Sequence, residues 1–334
     1  MTEDNGPKTF SIVVPALDEE QNIGGLIDDI QRQELAGAFL LEKMIIVSDG
    51  STDGTVEVVE SRSRGERRVE LVVNERRLGN ARAINIGKSM VESDVLVILD
   101  GDIRLGDDST LHTLLSGMEP GVGMTGGNPR PVRDSGTFAS AINECGAFLR
   151  DDLRRRVRGG NNVISALGCI LALDRALYAD VEIPLNPVSP ELLVPNDQYF
   201  YMKCLQKGMR FVSIDDARVR YRLCNSISDT NRQGVRFVFS MTSMDAFFDE
   251  GLLAREYSFP LGQIILVVLN SMARRPATTI AWGALHLYVR AKVFVMRHVL
   301  KVGVNAAWEV SKTSKGSIPT APAEQGRETG HSGS

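Results

Sequence analysis

Short apolar runs alternate with amphipathic stretches of helical length through the first third of the chain. The runs FSIVV, MIIV, VELVV and VLVIL predict strands, and the stretches between them predict helices near residues 20–32, 54–63 and 81–92. Strands that alternate with helices are joined by right-handed crossovers, so the pattern up to about residue 126 predicts a mainly parallel sheet with helices on both faces. The expected fold class is therefore α/β.

Beyond residue 126 the alternation gives way to Gly-, Asn- and Arg-rich stretches, which predict loops. Among these loops the pattern predicts helices over 139–156, 196–208 and 232–248, a strand at 170–173, and strand-like segments FVSI and RVRYRL. A Pro-rich segment at 184–195 predicts a long loop. The last residues, 311–334, are rich in Ser, Gly and Pro and predict a disordered tail.

The most apolar stretch of the chain, 259–300, is interrupted by basic residues. These interruptions leave no clean window near the roughly 20 residues that a spanning helix needs, so we expect no simple transmembrane helix. On a helix, we expect Arg290 and Arg297 to share a face with Lys301, apart from Leu287, Phe294 and Val295. Such a helix suits the surface of a membrane, and a basic-faced helix docked on the protein's own core predicts the same pattern.

Composition narrows the classes of partner and compartment. Hydrophobic residues make up 43% of the 334 residues and charged residues 24%, which is typical of a globular protein. The net charge of −4 argues against nucleic acid as a partner. The four cysteines form no C-x-x-C pair and the N-terminus carries no apolar leader run, so we expect reduced thiols and a cytoplasmic protein, with peripheral contact at the inner face of a membrane left open.

Acidic residues directly follow three of the predicted strands. The triplet Asp-Glu-Glu at 18–20 follows the first strand, Asp49 follows the second, and Asp100-Gly101-Asp102 follows the fourth. Because the carboxyl ends of parallel strands meet at one edge of a sheet, we expect these carboxylates to converge there. Hard cations such as Mg2+ and Mn2+ bind through one or two carboxylates together with substrate phosphates, so the cluster predicts a metal and diphosphate site. A solvated Asp-Gly turn is the simpler alternative.

Four motifs over residues 10–102 resemble, in order, those of the family-2 glycosyltransferases. VPALDEE resembles V-P-x-Y-N-E-E, SDGSTDGT resembles D-D-G-S-x-D-x-T, LGNARAINIG is similar to G-x-x-x-A-x-N-x-G, and LDGD resembles the D-x-D motif. Leu17, Asp18 and Ser48 depart from the family pattern. The resemblance implies a GT-A fold, a nucleotide-sugar donor, and Mg2+ or Mn2+ as cofactor.

The resemblance also implies roles for single residues of the first half. Residues implied to hold the donor are Pro15, Ala16, Glu19, Asp49, Arg82, Asp100 and Gly101. Asp100 and Asp102 are implied metal ligands, and Asp102 is counted among the catalytic residues. Arg82 has an independent rationale, because a guanidinium binds phosphate oxygens in pairs, although an exposed helix arginine is equally ordinary.

In the second half, Asn196-Asp197 before a predicted helix resembles the family's E-D-x-x-L…G segment. The resemblance implies that Asp197 is the general base, which must reach the acceptor hydroxyl. A helix cap formed by Asn196 or Asp197 is the alternative. Gly168, before the strand ILAL, resembles a glycine under the acceptor, where backbone approaches a sugar closely.

The segment Gln233-Gly-Val-Arg236-Phe237 resembles the Q-x-x-R-W of chitin, cellulose and hyaluronan synthases, with Phe in place of Trp. The resemblance implies that Gln233, Arg236 and Phe237 bind the acceptor, since aromatic faces stack on sugars. An amphipathic helix packed into the core is the alternative explanation of this sequence segment.

These observations lead to one expected function and its rivals. We expect inverting transfer of a hexosyl group from a nucleotide-diphosphate sugar, a UDP-sugar, to a hydroxyl of a glycan or lipid-linked acceptor, as in polysaccharide biosynthesis. The implied division is a GT-A catalytic domain over 1–230, a helical acceptor and membrane-surface region over 231–310, and the tail. The rivals are a retaining transferase of the glucosyl-phosphoglycerate synthase type, whose opening VPALDEE also resembles, and a non-catalytic GT-A-like binding subunit.

Overall fold

The structure is a computed structural model that describes residues 6–132, 136–185, 194–300 and 316–319. Most of the predicted loop at 184–195 and most of the predicted tail at 311–334 lie outside the described residues. Within these ranges the strands are β1 (Lys8–Ala16), β2 (Phe39–Asp49), β3 (Val69–Asn74), β4 (Val95–Leu99), β5 (Ile103–Leu105), β6 (Val122–Val132), β7 (Ile170–Asp174) and β8 (Arg210–Arg222). The α-helices there are α1 (Ile23–Gln31), α2 (Thr55–Ser63), α3 (Asn80–Lys88), α4 (Thr110–Ser116), α5 (Phe138–Arg156), α6 (Arg175–Tyr178), α7 (Asn196–Gln206), α8 (Ile227–Thr242), α9 (Glu250–Tyr257), α10 (Leu261–Arg274) and α11 (Pro276–Phe294).

All eight strands join one sheet in the order β3-β2-β1-β4-β7-β6-β8-β5. The first four strands by sequence are parallel, with Ala16 opposite Ser48 and Asp49 opposite Asn74. Successive side chains of a strand point to opposite faces, so Ile12 and Val14 pack under α1 while Val13 packs under α3. Both faces are therefore apolar and covered by helices, and the predicted α/β class is confirmed.

The second half of the sheet is mixed, which the sequence pattern did not indicate. β7 runs antiparallel to both β4 and β6, and β5 runs antiparallel to β8, while β6 and β8 are parallel. The prediction of loops beyond residue 126 is wrong for β6. The glycines of this strand are needed because neighbouring backbone and side chains pack closely against them. A Cβ on Gly127 would lie 2.6 Å from the carbonyl oxygen of Ala217, and one on Gly126 would lie 3.1 Å from the ring of Phe211.

The C-terminal helices pack around α5 and α8. Cys145 and Leu149 of α5 meet Val267 of α10, and Val235 and Phe239 of α8 meet Val289 and Val293 of α11. These contacts give the hairpin formed by α10 and α11 one buried side. They leave α9 to cover the opposite end of the sheet, where Leu253 joins the main core.

The exposed side of α11 differs from the expectation. Leu287 and Phe294 are 70% and 61% exposed and share this side with exposed Arg290 and Arg297, so the predicted separation of apolar and basic residues is wrong. The reason is spacing, because positions three, four and seven residues apart fall on one face of a helix. Lys301 lies outside the described residues.

One helical stretch within the described ranges, Glu250–Arg274, is long and apolar enough to cross a membrane by length and composition. It is interrupted at 258–260, so that α9 and α10 are separate helices and α10 has 14 residues. Length and apolar character are weak evidence for a span, and the expectation that this region carries no transmembrane helix stays a prediction.

Four residues of the predicted tail, 316–319, lie against the body of the protein. The backbone N–H groups of Ser317 and Ile318 donate to the side chains of Gln21 and Asn22. The carbonyl oxygen of Ser317 accepts from Arg222 at 2.6 Å. This short segment is therefore ordered beside the start of α1.

Candidate active site

A cluster of carboxylates lies where β1 and β4 end. Asp100 follows β4 directly, Asp102 precedes β5, and Asp197 lies in the first turn of α7. Asp100 keeps a little contact with solvent but is enclosed by protein on most sides. Burial, and then the negative charges of Asp102, Asp197 and Glu19, raise the pKa of Asp100 to about 7. Separate parts of the chain therefore deliver four carboxylates to one place.

Two glycines permit this convergence. A Cβ on Gly101 would lie 3.3 Å from both the carbonyl oxygen of Pro15 and Cγ of Glu19, so the aspartates flanking Gly101 are held tightly against the end of β1. A Cβ on Gly168 would lie 3.9 Å from Oδ2 of Asp100 and from Oδ2 of Asp197. Gly168 therefore lies between two carboxylates and leaves room for a small group beside them.

Asp197 is held in position by its backbone contacts. Its Oδ2 accepts from the N–H of Gly168 at 3.1 Å, and its Oδ1 accepts from the N–H of Gln198 at 2.8 Å. Burial raises the pKa of Asp197, and these two hydrogen bonds oppose that rise. The N-cap of α7 is Pro195, so Asp197 is not the capping residue. A carboxylate offers about four acceptor positions, which leaves Asp197 able to take a proton.

The donor set suits a hard divalent cation that also binds phosphate. Asp100 and Asp102 offer carboxylate oxygens of the kind that Mg2+ and Mn2+ prefer, and a cation between them would relieve the repulsion that raises the pKa of Asp100. Among the described residues no three acidic, histidine or cysteine side chains are arranged to hold a metal ion by themselves. A metal here would therefore need further ligands, which the oxygens of a diphosphate supply.

Two arginines from the second half lie beside the acidic cluster. Arg236 on α8 is attracted by Asp100 and Asp102, although burial lowers its pKa. Arg150 on α5 donates to the hydroxyl of Tyr221 at 3.0 Å, and its charge lowers the pKa of Asp197. Arg150 escaped the sequence analysis because it belongs to a run of charged residues.

The loops that follow β1 and β2 are tied together. The side chain of Asp18, which has a left-handed backbone with φ of 54°, accepts from the N–H of Thr52 at 2.7 Å. The side chain of Glu20 accepts from the N–H of Gly54 at 2.9 Å, and the N–H of Glu19 donates to Thr55 at 2.7 Å. These bonds fix the rim in which Pro15, Ala16 and Glu19 lie.

Asp49 has a structural role in this rim. Its carboxylate accepts from the N–H groups of Leu78 and Gly79, both at 2.8 Å, and from the side chain of Asn74 at 3.1 Å. Asp49 is 4% exposed. Most of its acceptor capacity is therefore used to anchor the loop before α3, and one position remains for the predicted contact with a nucleoside.

Three predicted residues lie at the surface. Arg82 is exposed in the first turn of α3, and Gln233 is exposed on α8, where its side-chain oxygen lies 3.6 Å from Sγ of Cys224. Phe237 is 47% exposed, whereas its neighbour Phe239 is 4% exposed and belongs to the core. The same helix thus carries one aromatic ring for packing and another that is free to contact a ligand.

A cavity of about 250 Å³ lies beside Arg150 and reaches the residue before Gly168. Its lining includes Arg130, Arg150 and Arg275, together with Leu167 beside Gly168. Arg130 and Arg275 are paired with Asp151 and Glu144 at 3.0 and 3.6 Å. The cavity therefore combines paired arginines with the half-buried Arg150, whose charge acts on Asp197.

Comparison with solved structures shows which fold this is. A mannosyltransferase of Pyrobaculum calidifontis, solved with GDP-Man and Mn2+, has a TM-score of 0.57 at 18% identity, covering 91% of this chain and 88% of that one. Glucosyl-3-phosphoglycerate synthase of Mycobacterium tuberculosis, solved with Mn2+, UDP-Glc and phosphoglyceric acid, has a TM-score of 0.51 at 19% identity and covers 73% and 82%. These likenesses confirm the predicted GT-A fold.

Comparison of sequences gives further relatives and a family. A glycosyltransferase of Bacillus subtilis named for teichuronic acid biosynthesis, TuaG, is 23% identical over 68% of this chain and 84% of its own length. Undecaprenyl-phosphate 4-deoxy-4-formamido-L-arabinose transferase of Yersinia enterocolitica is 29% identical, but the match spans 38% of each protein. The family described as Glycosyl transferase family 2 matches residues 11–180, which is half of the chain. The chain therefore belongs to glycosyl transferase family 2, and it is a glycosyltransferase.

Proposed function

We propose that this protein transfers a sugar from a nucleoside-diphosphate sugar, a UDP-sugar, to a hydroxyl of a lipid-linked or glycan acceptor, with inversion at the anomeric carbon and with Mg2+ or Mn2+. One observation carries the proposal: Asp100, Asp102 and Asp197 converge beside two half-buried arginines, Arg150 and Arg236. The first pair of carboxylates faces a donor, and the third carboxylate lies on the side from which an acceptor enters.

The chemistry follows from the positions of these side chains. Held by Asp100 and Asp102, a divalent cation would neutralise charge that develops on the departing diphosphate. Arg236, and Arg82 from the other side, are suited to bind phosphate oxygens. Asp197 takes the proton of the acceptor hydroxyl as that oxygen bonds to the anomeric carbon and the bond to the diphosphate oxygen breaks. Fixed placement of these groups provides most of the acceleration.

The acceptor side offers an anion site and an aromatic surface. The arginine-lined cavity beside Asp197 suits an acceptor that carries a phosphate, and exposed Phe237 suits a sugar face or a prenyl chain. A relative is named for its undecaprenyl-phosphate acceptor, which has such a phosphate. The rival reading, a retaining enzyme with a small phosphorylated acceptor, uses the same cavity, and the anomeric configuration of the product distinguishes the two.

The proposal is tested with a panel of UDP-, GDP- and other nucleotide sugars, each with Mn2+, Mg2+ or a chelator. We expect a UDP-sugar with Mn2+ to raise the melting temperature and to release UDP when an acceptor is present, and the chelator to abolish both effects. Proton NMR of the product should show the anomeric configuration opposite to that of the donor. Retained configuration would favour the retaining rival.

The non-catalytic rival makes a different prediction. If the protein only binds, no nucleotide sugar should be turned over with any acceptor tested, and Asp102→Ala should leave its cellular role unchanged. Stabilisation by the nucleotide alone, without turnover across phosphorylated lipid, sugar and small-molecule acceptors, would contradict the proposed enzyme activity.

A further inference from the structure

The hairpin formed by α10 and α11 has a broad apolar side that no described part of the chain covers. Its large apolar residues are between 49% and 70% exposed. They are Leu261, Ile265 and Leu269 on α10, and Ile280, Leu287 and Phe294 on α11. Spacings of four, seven or eight residues place each set along one side of its helix. We call these six residues the hairpin face.

The hairpin face points away from the body of the protein because the opposite sides of both helices are packed. Val267 of α10 lies in the core formed with α5, and Val289 and Val293 of α11 lie in the core formed with α8. Trp282 packs so closely on Gly146 that a Cβ there would lie 2.4 Å from its indole nitrogen. The helices are therefore fixed on one side and open on the other.

Charge indicates what covers the open side. Residues 257–300 include no Asp or Glu, although the chain as a whole has a net charge of −4. The basic residues of this segment are Arg274, Arg275, Arg290, Lys292 and Arg297. We propose that the hairpin face docks on an anionic membrane, with its apolar side chains among the lipids and the exposed Arg290 and Arg297 at the headgroups.

Two alternatives fit less well. A second copy of this chain would bring two identical basic surfaces together in a symmetric contact, and like charges oppose each other there. A spanning helix needs about 30 Å of apolar length, whereas the 14 residues of α10 extend only about 21 Å. α11 is longer, with 19 residues, but it carries Arg290 and Lys292 and packs on α5 and α8. Docking on the surface of one leaflet meets neither difficulty.

This docking places the acceptor side of the site near lipid. α11 packs directly on α8, which carries Arg236 and Phe237, and Arg275 at the turn of the hairpin lines the cavity next to Arg150. This consequence rests on the proposed function, since it concerns a lipid-linked acceptor. Membrane docking itself is independent of sugar transfer and is measured without substrate.

The test is vesicle flotation with the full chain. We expect the protein to float with phosphatidylcholine vesicles that contain about 30% of the anionic lipid phosphatidylglycerol, and far less with vesicles of phosphatidylcholine alone. Arg290→Gln/Arg297→Gln should weaken partitioning to anionic vesicles about twentyfold, since each basic residue near such a surface contributes about fivefold. Leu261→Gln/Leu287→Gln should weaken it at least tenfold, because both side chains leave the lipid phase.

Matched controls and a second measurement keep the test decisive. The control variants Arg64→Gln/Arg67→Gln and Leu40→Gln change exposed residues in the first part of the chain, outside the hairpin. Both variants should float like the unchanged protein. Leu287→Trp places an indole on the hairpin face, and brominated lipids should quench the fluorescence that it adds. Equal flotation of all variants, or no flotation with anionic vesicles, would overturn the proposal. A dimer that the Leu261→Gln/Leu287→Gln variant dissociates would assign the face to a second copy instead.

Discussion

The two halves of the site are built in different ways. On the donor side, the loops after β1, β2 and β3 are joined by backbone hydrogen bonds to Asp18, Glu20 and Asp49, so the rim is rigid before any ligand binds. Asp197 and Arg150 on the acceptor side, and Arg236 between the two sides, come from three helices that meet only through long-range packing. The donor side therefore depends on local turns, and the acceptor side depends on the core.

This difference suggests a division of labour. A rigid donor rim positions phosphates and metal, where small displacements reduce the rate strongly. Helices held by packing can differ among relatives without disturbing that rim, which allows one family to use many acceptors. Substitutions on the two sides should therefore fail in different ways: donor-side changes lose nucleotide affinity, and acceptor-side changes keep it.

The largest effect is expected at Asp102. Asp102→Asn removes a proposed metal ligand, so both the stabilisation by UDP-sugar with Mn2+ and the turnover should fall, the latter about thousandfold. Turnover and melting shifts measure the two effects. Asp108→Asn, an exposed aspartate of the same segment, should change neither. Unchanged turnover in Asp102→Asn would contradict the donor-side assignment.

Asp197→Asn should separate the two sides most clearly. The amide cannot accept the acceptor proton, so kcat should fall about a hundredfold while the melting shift with UDP-sugar and Mn2+ stays as in the unchanged protein. Asp180→Asn, which lies at the surface beside Lys207, serves as the control. Loss of nucleotide stabilisation in Asp197→Asn would place this residue on the donor side instead.

The charge of Asp100 should lower the stability of the folded protein. Its pKa is raised to about 7 in the folded metal-free protein, above its usual value of 3.8, so the charge destabilises folding increasingly from about pH 4 to pH 7. At pH 8 the free energy of unfolding of Asp100→Asn should therefore be about 2 kcal/mol higher than that of the unchanged protein. At pH 4.5 the difference should be much smaller. Urea unfolding at both pH values with a chelator measures this. A gain that does not depend on pH would mean that burial of the Asp100 charge among other carboxylates is not the cause.

Arg236→Gln should raise the KM for the donor about tenfold, because a charged hydrogen bond to phosphate is lost. Arg232→Gln, one turn earlier on α8 and paired with Asp229, is the matched control and should have little effect. If only the acceptor KM rises, Arg236 belongs entirely to the acceptor side.

The smallest effect is expected at Phe237. Phe237→Ala should raise the acceptor KM about fivefold and leave the melting temperature unchanged, because its ring is half exposed. Phe239→Ala, in the core, should lower the free energy of unfolding by about 3 kcal/mol. Destabilisation by Phe237→Ala would indicate a packing role.

The sequence predicted the first half of the fold well because its signals are local. Parallel strands that alternate with helices repeat one pattern, and their ends carry the acidic residues. The sequence alone therefore places Asp100, Asp102 and Glu19 at one edge of the sheet. Asp49 lay at the predicted edge, but its partners Leu78 and Gly79 come from the next loop along the sheet. Sequence spacing could not show that those backbone groups occupy its carboxylate.

The fold and the site residues of the second half could be predicted less well from the sequence, for physical reasons. β6 has glycines that resemble turn residues but serve close contacts with β7 and β8, which only the assembled sheet reveals. Arg150 is one of four arginines on α5, which differ in burial, and its importance comes from Tyr221 and Asp197, both distant in sequence. The general base Asp197 was named only through the family resemblance, and its role stays a prediction.

The most direct measurement is a crystal structure with a UDP-sugar and Mn2+, using the anomalous signal of manganese to locate the ion. We expect one peak about 2.1 Å from carboxylate oxygens of Asp100 or Asp102 and from diphosphate oxygens of the donor, with Asp197 facing the anomeric carbon. A donor bound with no manganese beside either aspartate, or with its diphosphate away from this edge of the sheet, would contradict this expectation.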